Sequence, residues 1–336
     1  MSAPRFGFFF WPWSAEYTAR MSQLAERLGW DLVGIADTPG NAMDPWVALT
    51  VAAMRTERVR LAACVTNLAT RHPAITAGAA ASVDAVSSGR MILGLGTGHS
   101  GVVNVGGAAA RPGDFREGLR FTRSLLAGER AVLDGRAMEL GGWTRRVPVY
   151  AAASGPRALR AAGSAADGAF VNYGLEAEHV ERARALIAEG AAESGRHPDE
   201  LDTWWVAALD VSEEREAALA KLGNILGFVA AYVLGPAPAE RGVPAALIPA
   251  VGELRASYTT RRAAMDPELV KRLGLFDYLR RRLAIAGTPG DCVEQVKAAL
   301  AAGATRLMFT VSLAADPIRT VELFGQHVLP AIERTA

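Results

Sequence analysis

Cysteine is scarce: Cys64 and Cys292 are the only two in 336 residues. They stand far apart with no neighbouring Cys or His at ligand spacing. That excludes a disulfide framework and a structural zinc site, and it fits a reducing compartment. Excess charge is also missing. Lys and Arg number 36 against 35 Asp and Glu, a formal net charge of +1, and no basic stripe is interleaved with aromatics. A small-molecule partner is therefore expected and nucleic acid is not. No charge-free apolar run approaches the roughly twenty residues needed to cross a bilayer. The opening stretch MSAPRFGFFFWPWS is apolar but short, interrupted by Pro12, and lacks a small-residue cleavage pattern, so no signal peptide is expected. The sequence thus reads as cytoplasmic, without membrane contact. No linker or shift in composition divides it either, and 1–336 is expected to form a single domain.

What is present is alternation. Half of the residues are apolar, enough for one large core. Short β-type runs alternate with longer helix-type segments, the signature of parallel βαβ units. The β-type runs are Phe6–Trp11, Asp31–Ala36, Val59–Asn67, Met91–Leu95, Val147–Ala152, Gly168–Asn172, Thr203–Leu209 and Arg306–Val311. The helices carry their own punctuation. Ser14 caps a helix that puts Tyr17, Met21, Leu24 and Leu28 on one face and ends at Gly29. A helix over Pro45–Arg55 follows the second run, and another over Pro73–Val86 opens on proline, whose missing N–H costs nothing in a first turn. Further helices are expected near Phe115–Leu126, over Glu176–Ser194 and after the cap Thr288. From about Ala231 to Arg282 no strand pattern occurs, only apolar-periodic helix broken by Pro236, Pro238, Pro244 and Pro249. The segment 231–282 reads as a helical insertion after strand seven. Eight strand–helix units without a boundary favour an α/β fold closed into a (β/α)8 TIM barrel over a doubly wound sheet.

The stretch MILGLGTGHSG places Gly96-x-Gly98-x-x-Gly101 directly after the fourth strand. A dinucleotide fingerprint needs those glycines to open a helix at once, normally after the first strand of its domain. Gly106, Gly107 and Pro112 deny it that helix. In a barrel the same glycines have another use, letting backbone N–H groups approach a ligand at the C-terminal mouth, with an unliganded tight turn as the alternative. The fifth strand ends in AAASGPRALRAAG, where Ser154, Gly155, Pro156 and Arg157 begin a helix. A helix N-terminus with a hydroxyl and a guanidinium suits a phosphate or carboxylate.

Three blocks carry a family resemblance: VTNLATRHPAITAGAAASVDAVSSGRMILGLGTG (Val65–Gly98), VPVYAAASGPRALRAAGSAADG (Val147–Gly168) and IAGTPGDCVEQVKAALAAGATRLMF (Ile285–Phe309). They resemble the luciferase-like flavin oxidoreductases, and most of all the deazaflavin branch that includes methylenetetrahydromethanopterin reductases. The resemblance implies a flavin ring across the barrel mouth. Its phosphate would lie at the loops after strands four and five, near Gly96, Thr97 and Gly98 and near Ala153, Ser154, Gly155, Pro156 and Arg157. It also implies a bulge after strand three with a non-prolyl cis peptide at Cys64-Val65, followed by Thr66 and Asn67 against the ring. Asp37 matches an acidic residue that the family places near the flavin pyrimidine or the substrate. Family members often have His directly after it, whereas this chain has Thr38.

His99 is the compensating catalytic candidate, since the branch often carries Glu or Asp at its position and an imidazole titrates near neutral pH. The same side chain could equally hydrogen-bond the phosphate or a loop carbonyl. His72 reads as a structural residue at a helix start, while His179, His197 and His327 read as surface or core-edge residues. Trp11 is the aromatic singled out for an apolar substrate pocket. The implied activity is hydride transfer between coenzyme F420 and a small organic substrate, by a homodimer. The alternatives are an FMN-dependent two-component monooxygenase served by a flavin reductase, and a flavin-binding barrel without turnover. No metal is expected.

Overall fold

The computed structural model describes residues 3–143, 145–261 and 265–334. Residues 262–264 of the expected insertion, and both extreme ends of the chain, lie outside the described residues. Eight parallel strands make the barrel: β1 (Arg5–Phe10), β2 (Leu32–Ile35), β3 (Arg60–Asn67), β4 (Met91–Gly96), β5 (Val149–Ala153), β6 (Gly168–Val171), β7 (Asp202–Val211) and β8 (Arg306–Thr310). Each pairs with the next in chain order, and Phe6 opposite Leu307 closes the ring between β8 and β1. All eight expected runs occur as strands.

The period of two divides each strand between two cores. Leu32, Ala62, Ile92, Tyr150, Phe170, Trp204, Val206 and Met308 fill the barrel interior. Their neighbours, such as Val33, Leu61, Leu93, Val149 and Trp205, face the surrounding helices. Each such Leu or Phe contributes about 1.5–3 kcal/mol on burial. The helix Pro112–Leu126 shows how this is organised: Phe115, Leu119 and Leu125 lie one or two turns apart and are fully buried, so one face holds the helix on the barrel.

Four elements differ from the sequence reading. That helix starts at Pro112 rather than near Phe115, and the glycine-rich loop contains a single helical turn, Ser100–Val103, which Gly106 ends with φ 79°. A hairpin of Ala131–Leu133 with Arg136–Met138 fills the connection to β5. A short ninth strand, Ala284–Gly287, pairs outside the ring with the last residues of β7, Ala284 opposite Ala208. Three or four residues are too few to show periodicity.

Between β7 and the ninth strand the chain is helical from Arg215 onward, so position 231 falls inside the helix Leu222–Val233. Arg215–Val233 is apolar and long enough to span a membrane by composition, yet half of it is buried in protein. Leu222, Leu226, Val229 and Val233 form a second core with Trp11, Ala36 and Ala284, which seats this segment on the barrel mouth. Arg282 secures it further. Fully buried, it donates to the carbonyls of Tyr173 (3.0 and 3.1 Å), Gly242 (3.2 Å) and Arg241 (2.5 Å) and to the Tyr278 hydroxyl (2.6 Å).

Candidate active site

The C-terminal ends of the strands and the helix Leu222–Val233 enclose a cleft of about 190 Å³. Its floor is β3. The Cys64–Val65 peptide bond is cis, and the β3–β4 register shifts between Ala63 and Thr66, where the resemblance placed a bulge. The site depends on glycine beneath it: a Cβ on Gly94 would lie 2.9 Å from a Val65 methyl and 2.3 Å from the Ala63 carbonyl oxygen. Gly98, at φ 98°, makes the turn that follows β4.

Eleven of the residues singled out from the sequence for cofactor or proton handling converge on this cleft. Asp37, Cys64, Val65, Thr66, Asn67, Gly96, Thr97, Gly98, Ala153 and Ser154 all line it, as does His99, the eleventh. Trp11 lines it too. Gly155, Pro156 and Arg157 do not: Gly155 caps the helix Pro156–Ala165 and Arg157 is exposed. The guanidinium beside Ser154 comes instead from Arg241, whose Nη1 donates to the Ser154 carbonyl at 2.7 Å and also to the Val233 carbonyl. A Cβ on Gly155 would meet that guanidinium at 2.7 Å. The Nε of Arg241 is buried without a partner, and among the described residues neither Arg241 nor Arg282 has a carboxylate within ion-pair distance. His72 caps its helix by accepting from the Ala74 N–H at 3.2 Å. His179 is buried beside Tyr173 rather than at the surface.

Two amides stand out. Asn67 is 2 % exposed; its Oδ1 accepts from the Ala69 and Thr70 N–H groups at 2.9 and 2.8 Å, but its Nδ2 is buried with no partner. Asn172, at the end of β6, is 8 % exposed, lines the same cleft and leaves its Oδ1 equally orphaned. A buried polar group without a partner costs about 1–3 kcal/mol, so an unpaired donor and an unpaired acceptor on one cleft mark where a polar ligand edge belongs.

The proton-handling groups line the same cleft, and the Asp37 backbone and Asn67 Nδ2 both flank Gly101. The Thr66 hydroxyl donates to Asp37 Oδ2 at 2.7 Å, yet burial outweighs that bond and raises the Asp37 carboxyl above its usual range. His99 stands within a cage of rings: Tyr232 at 4.5 Å, Phe228 and Tyr258 at 5.5 Å each between centroids. Burial pushes its imidazole down to about 4, so it is neutral at pH 7. Its Nε2 lies 3.1 Å from the Tyr258 hydroxyl. A phenol donates better than it accepts, which assigns Nε2 as acceptor and puts the ring proton on Nδ1, a donor with no partner among the described residues. Burial also raises the Cys64 thiol, which stays protonated and unreactive.

Sequence reading did not find Arg241, Phe228, Tyr232 or Tyr258, all from the helical segment, whose periodicity reports burial and not direction. Asn172 carried a usable signal, since a polar side chain at the C-terminal end of a barrel strand points to the mouth.

Known proteins are similar to this chain in sequence and in fold. The 5,10-methylenetetrahydromethanopterin reductase of Methanolobus tindarius is 29% identical over 320 residues, 93% of this chain and 95% of that protein. The F420-dependent glucose-6-phosphate dehydrogenase of Rhodococcus erythropolis is 28% identical over 334 residues, 93% of this chain and 92% of that one. The structure of the coenzyme F420 dependent tetrahydromethanopterin reductase from Methanopyrus kandleri superposes with a TM-score of 0.76 at 24% identity, covering 98% of this chain and 100% of that one. The luciferase-like monooxygenase family model matches residues 12–306, from the loop after β1 to the first residue of β8. With the barrel closed, the third strand bulged and the cleft where that family's resemblance put it, the chain belongs to the luciferase-like monooxygenase family.

Proposed function

We propose that this protein is an oxidoreductase that uses coenzyme F420 to move a hydride to or from a small organic substrate. The observation that carries the reading is the pair of orphaned amides, Asn67 Nδ2 and Asn172 Oδ1, on a cleft floored by glycine and Val65. They match the mixed donor and acceptor edge of a flavin-type ring. Ser154, the Gly96–Gly98 backbone and Arg241 would hold its anionic tail. Bound there, the coenzyme supplies the hydride; the protein orients it and excludes water. His99 Nδ1–H would hydrogen-bond the substrate oxygen or nitrogen, held in that tautomer by Tyr258, and the proton that accompanies the hydride would be exchanged with water by way of the Asp37 carboxyl. Two of the relatives above are named as F420-dependent, which supports the same cofactor.

The second reading is an FMN-dependent monooxygenase supplied by a separate flavin reductase. It is favoured by the family's own description as monooxygenases. Titrating the apo-protein with F420 and with FMN, followed by quenching of its seven tryptophans, decides between them. F420 is expected to bind in the micromolar range or tighter, and saturation by FMN alone refutes the first reading. Binding without turnover across aldehydes, ketones and imines supports the non-catalytic barrel instead.

The surface that supports a homodimer reading is formed by the neighbouring helices Pro45–Arg55 and Pro73–Val86. Val47 and Met54, two turns apart, are 54% and 73% exposed, and Ile75 and Val86, three turns apart, are 64% and 49% exposed. Each helix therefore turns an apolar stripe outward, which a second copy would cover. Two free, buried cysteines fit a cytoplasmic location.

A further inference from the structure

We propose that the substrate is a neutral, largely apolar carbonyl or imine compound, and that the helical segment between β7 and the ninth strand excludes phosphorylated and carboxylated ones. This rests on the hydride-transfer reading and sharpens it, because one of the similar proteins above is named for a sugar phosphate.

The substrate end of the cleft is a box of rings. Trp11 meets Phe228 edge-on at 5.8 Å; Phe228 meets Tyr232 at 5.8 Å and Tyr258 at 5.7 Å; and all three rings of the helical segment lie against His99. No Lys or Arg is among the described residues lining the cleft, and Asp37 is its one acidic side chain. A phosphate dianion placed here would leave its water shell with no cation among the described lining residues to replace it, and would face a carboxylate. A neutral carbonyl keeps its apolar body on the rings and offers one oxygen to the donor inside the ring cage, His99 Nδ1–H.

The box is fixed rather than loosely draped. Directly after Tyr258, the Thr260 hydroxyl donates to Asn104 Oδ1 at 2.5 Å, and the Thr260 carbonyl accepts from Asn41 Nδ2 at 2.8 Å. Asn104 Nδ2 in turn donates to the Pro39 carbonyl at 2.9 Å. The turn that carries Tyr258 is thereby tied to the loops after β2 and β4, the same loops that carry Asp37 and His99. The cations around this end are engaged by other groups: Arg71 by the Asp44 carboxylate at 2.5 Å and Arg261 Nη2 by the Asn104 carbonyl at 3.1 Å, while Arg241 stands at Ser154.

The test is ligand binding, read by saturation-transfer NMR and tryptophan quenching, with cyclohexanone, benzaldehyde and glucose 6-phosphate. Each titration is run with oxidised F420 present and without it. The neutral compounds should saturate at least tenfold more tightly than glucose 6-phosphate in both series, and Phe228→Ala should weaken them at least fivefold at unchanged melting temperature. If that variant misfolds, Phe228→Leu should shift affinity in the same direction by a smaller factor. Glucose 6-phosphate binding as tightly as the neutral compounds, or no saturation by any of the three, overturns the proposal. Failure of F420 to bind overturns the cofactor reading instead, and the series without cofactor still decides the selectivity of the box.

Discussion

The neutrality of His99 can be measured without knowing the substrate. Burial holds its imidazole at about 4, against 6.5 for an ordinary histidine. Between those values the unfolded chain takes up a proton that the folded one refuses, so this side chain's contribution is intact above pH 6.5 and is lost as pH falls toward 4. Two and a half pH units at 1.36 kcal/mol each amount to about 3 kcal/mol. The chain has five histidines, so the imidazole resonances are few enough to follow by NMR, with His99→Gln identifying the relevant one. Unfolding in urea at pH 7 and pH 4.5 should show wild type losing about 2–3 kcal/mol more than His99→Gln over that interval, all other titrating groups being common to both. An imidazole that vanishes in His99→Gln but titrates near 6.5, or equal acid losses in both proteins, would refute the buried, hydrogen-bonded donor assigned to the substrate.

Asp210 should behave in the opposite sense: burial raises its carboxyl to about 7, against the bond it accepts from the Ala315 N–H at 2.8 Å. Stability is then lost as pH climbs from 3.8 to 7, and Asp210→Asn should exceed wild type at pH 8 by up to about 4 kcal/mol while matching it near pH 4, by thermal unfolding at the two pH values. Replacing Arg282 by Met strands the carbonyls of Tyr173, Gly242 and Arg241, and should cost about 3–5 kcal/mol in denaturant unfolding, with Lys recovering only part. Asn172→Val removes an orphaned acceptor, so the apo-protein should become more stable while F420 affinity drops about tenfold or more, by calorimetry. Ile75→Asp should convert the homodimer to monomer in light scattering; an unchanged mass would move the contact elsewhere.

The barrel was legible because its signals are local. Each strand is a run of apolar residues between turn residues, each helix has its cap or proline, and eight repeats in order leave few ways to close. Gly96 to Gly98 and Ala153–Ser154 were legible for the same reason, since strand ends face the mouth, whereas Cys64 to Asn67 followed only from the family resemblance of their block. Arg157 shows the limit. Its place in a first helical turn says that it is near an N-terminus, not that it turns inward, and the structure leaves it in solvent while Arg241, 84 positions further along, occupies the spot. Tyr258 is further still from His99, separated by 159 positions. Contacts of that separation are set by how the helical segment rests on the mouth, through the second core and Arg282, and no short window of sequence encodes them.

The cleft's two ends therefore differ in kind, and the difference fixes which way round a bound molecule lies. At the β5 end the Arg241 guanidinium stands beside Gly155, the cap of the helix Pro156–Ala165, with no carboxylate within ion-pair distance among the described residues. A cation at that end of a helix opposes the dipole, so the arrangement gains most when an anion joins it. At the β2 end the only ionisable carboxylate is Asp37, and the rings of the helical segment replace charge altogether. Ser154 and Arg241 would thus hold the anionic tail of a bound coenzyme, and Asn67 and Asn172 its polar edge. The reverse placement would put the anion among rings beside a carboxylate and leave Arg241 uncompensated. Orientation of the cofactor and exclusion of charged substrates are, on this account, two consequences of one asymmetry in where this chain spends its arginines.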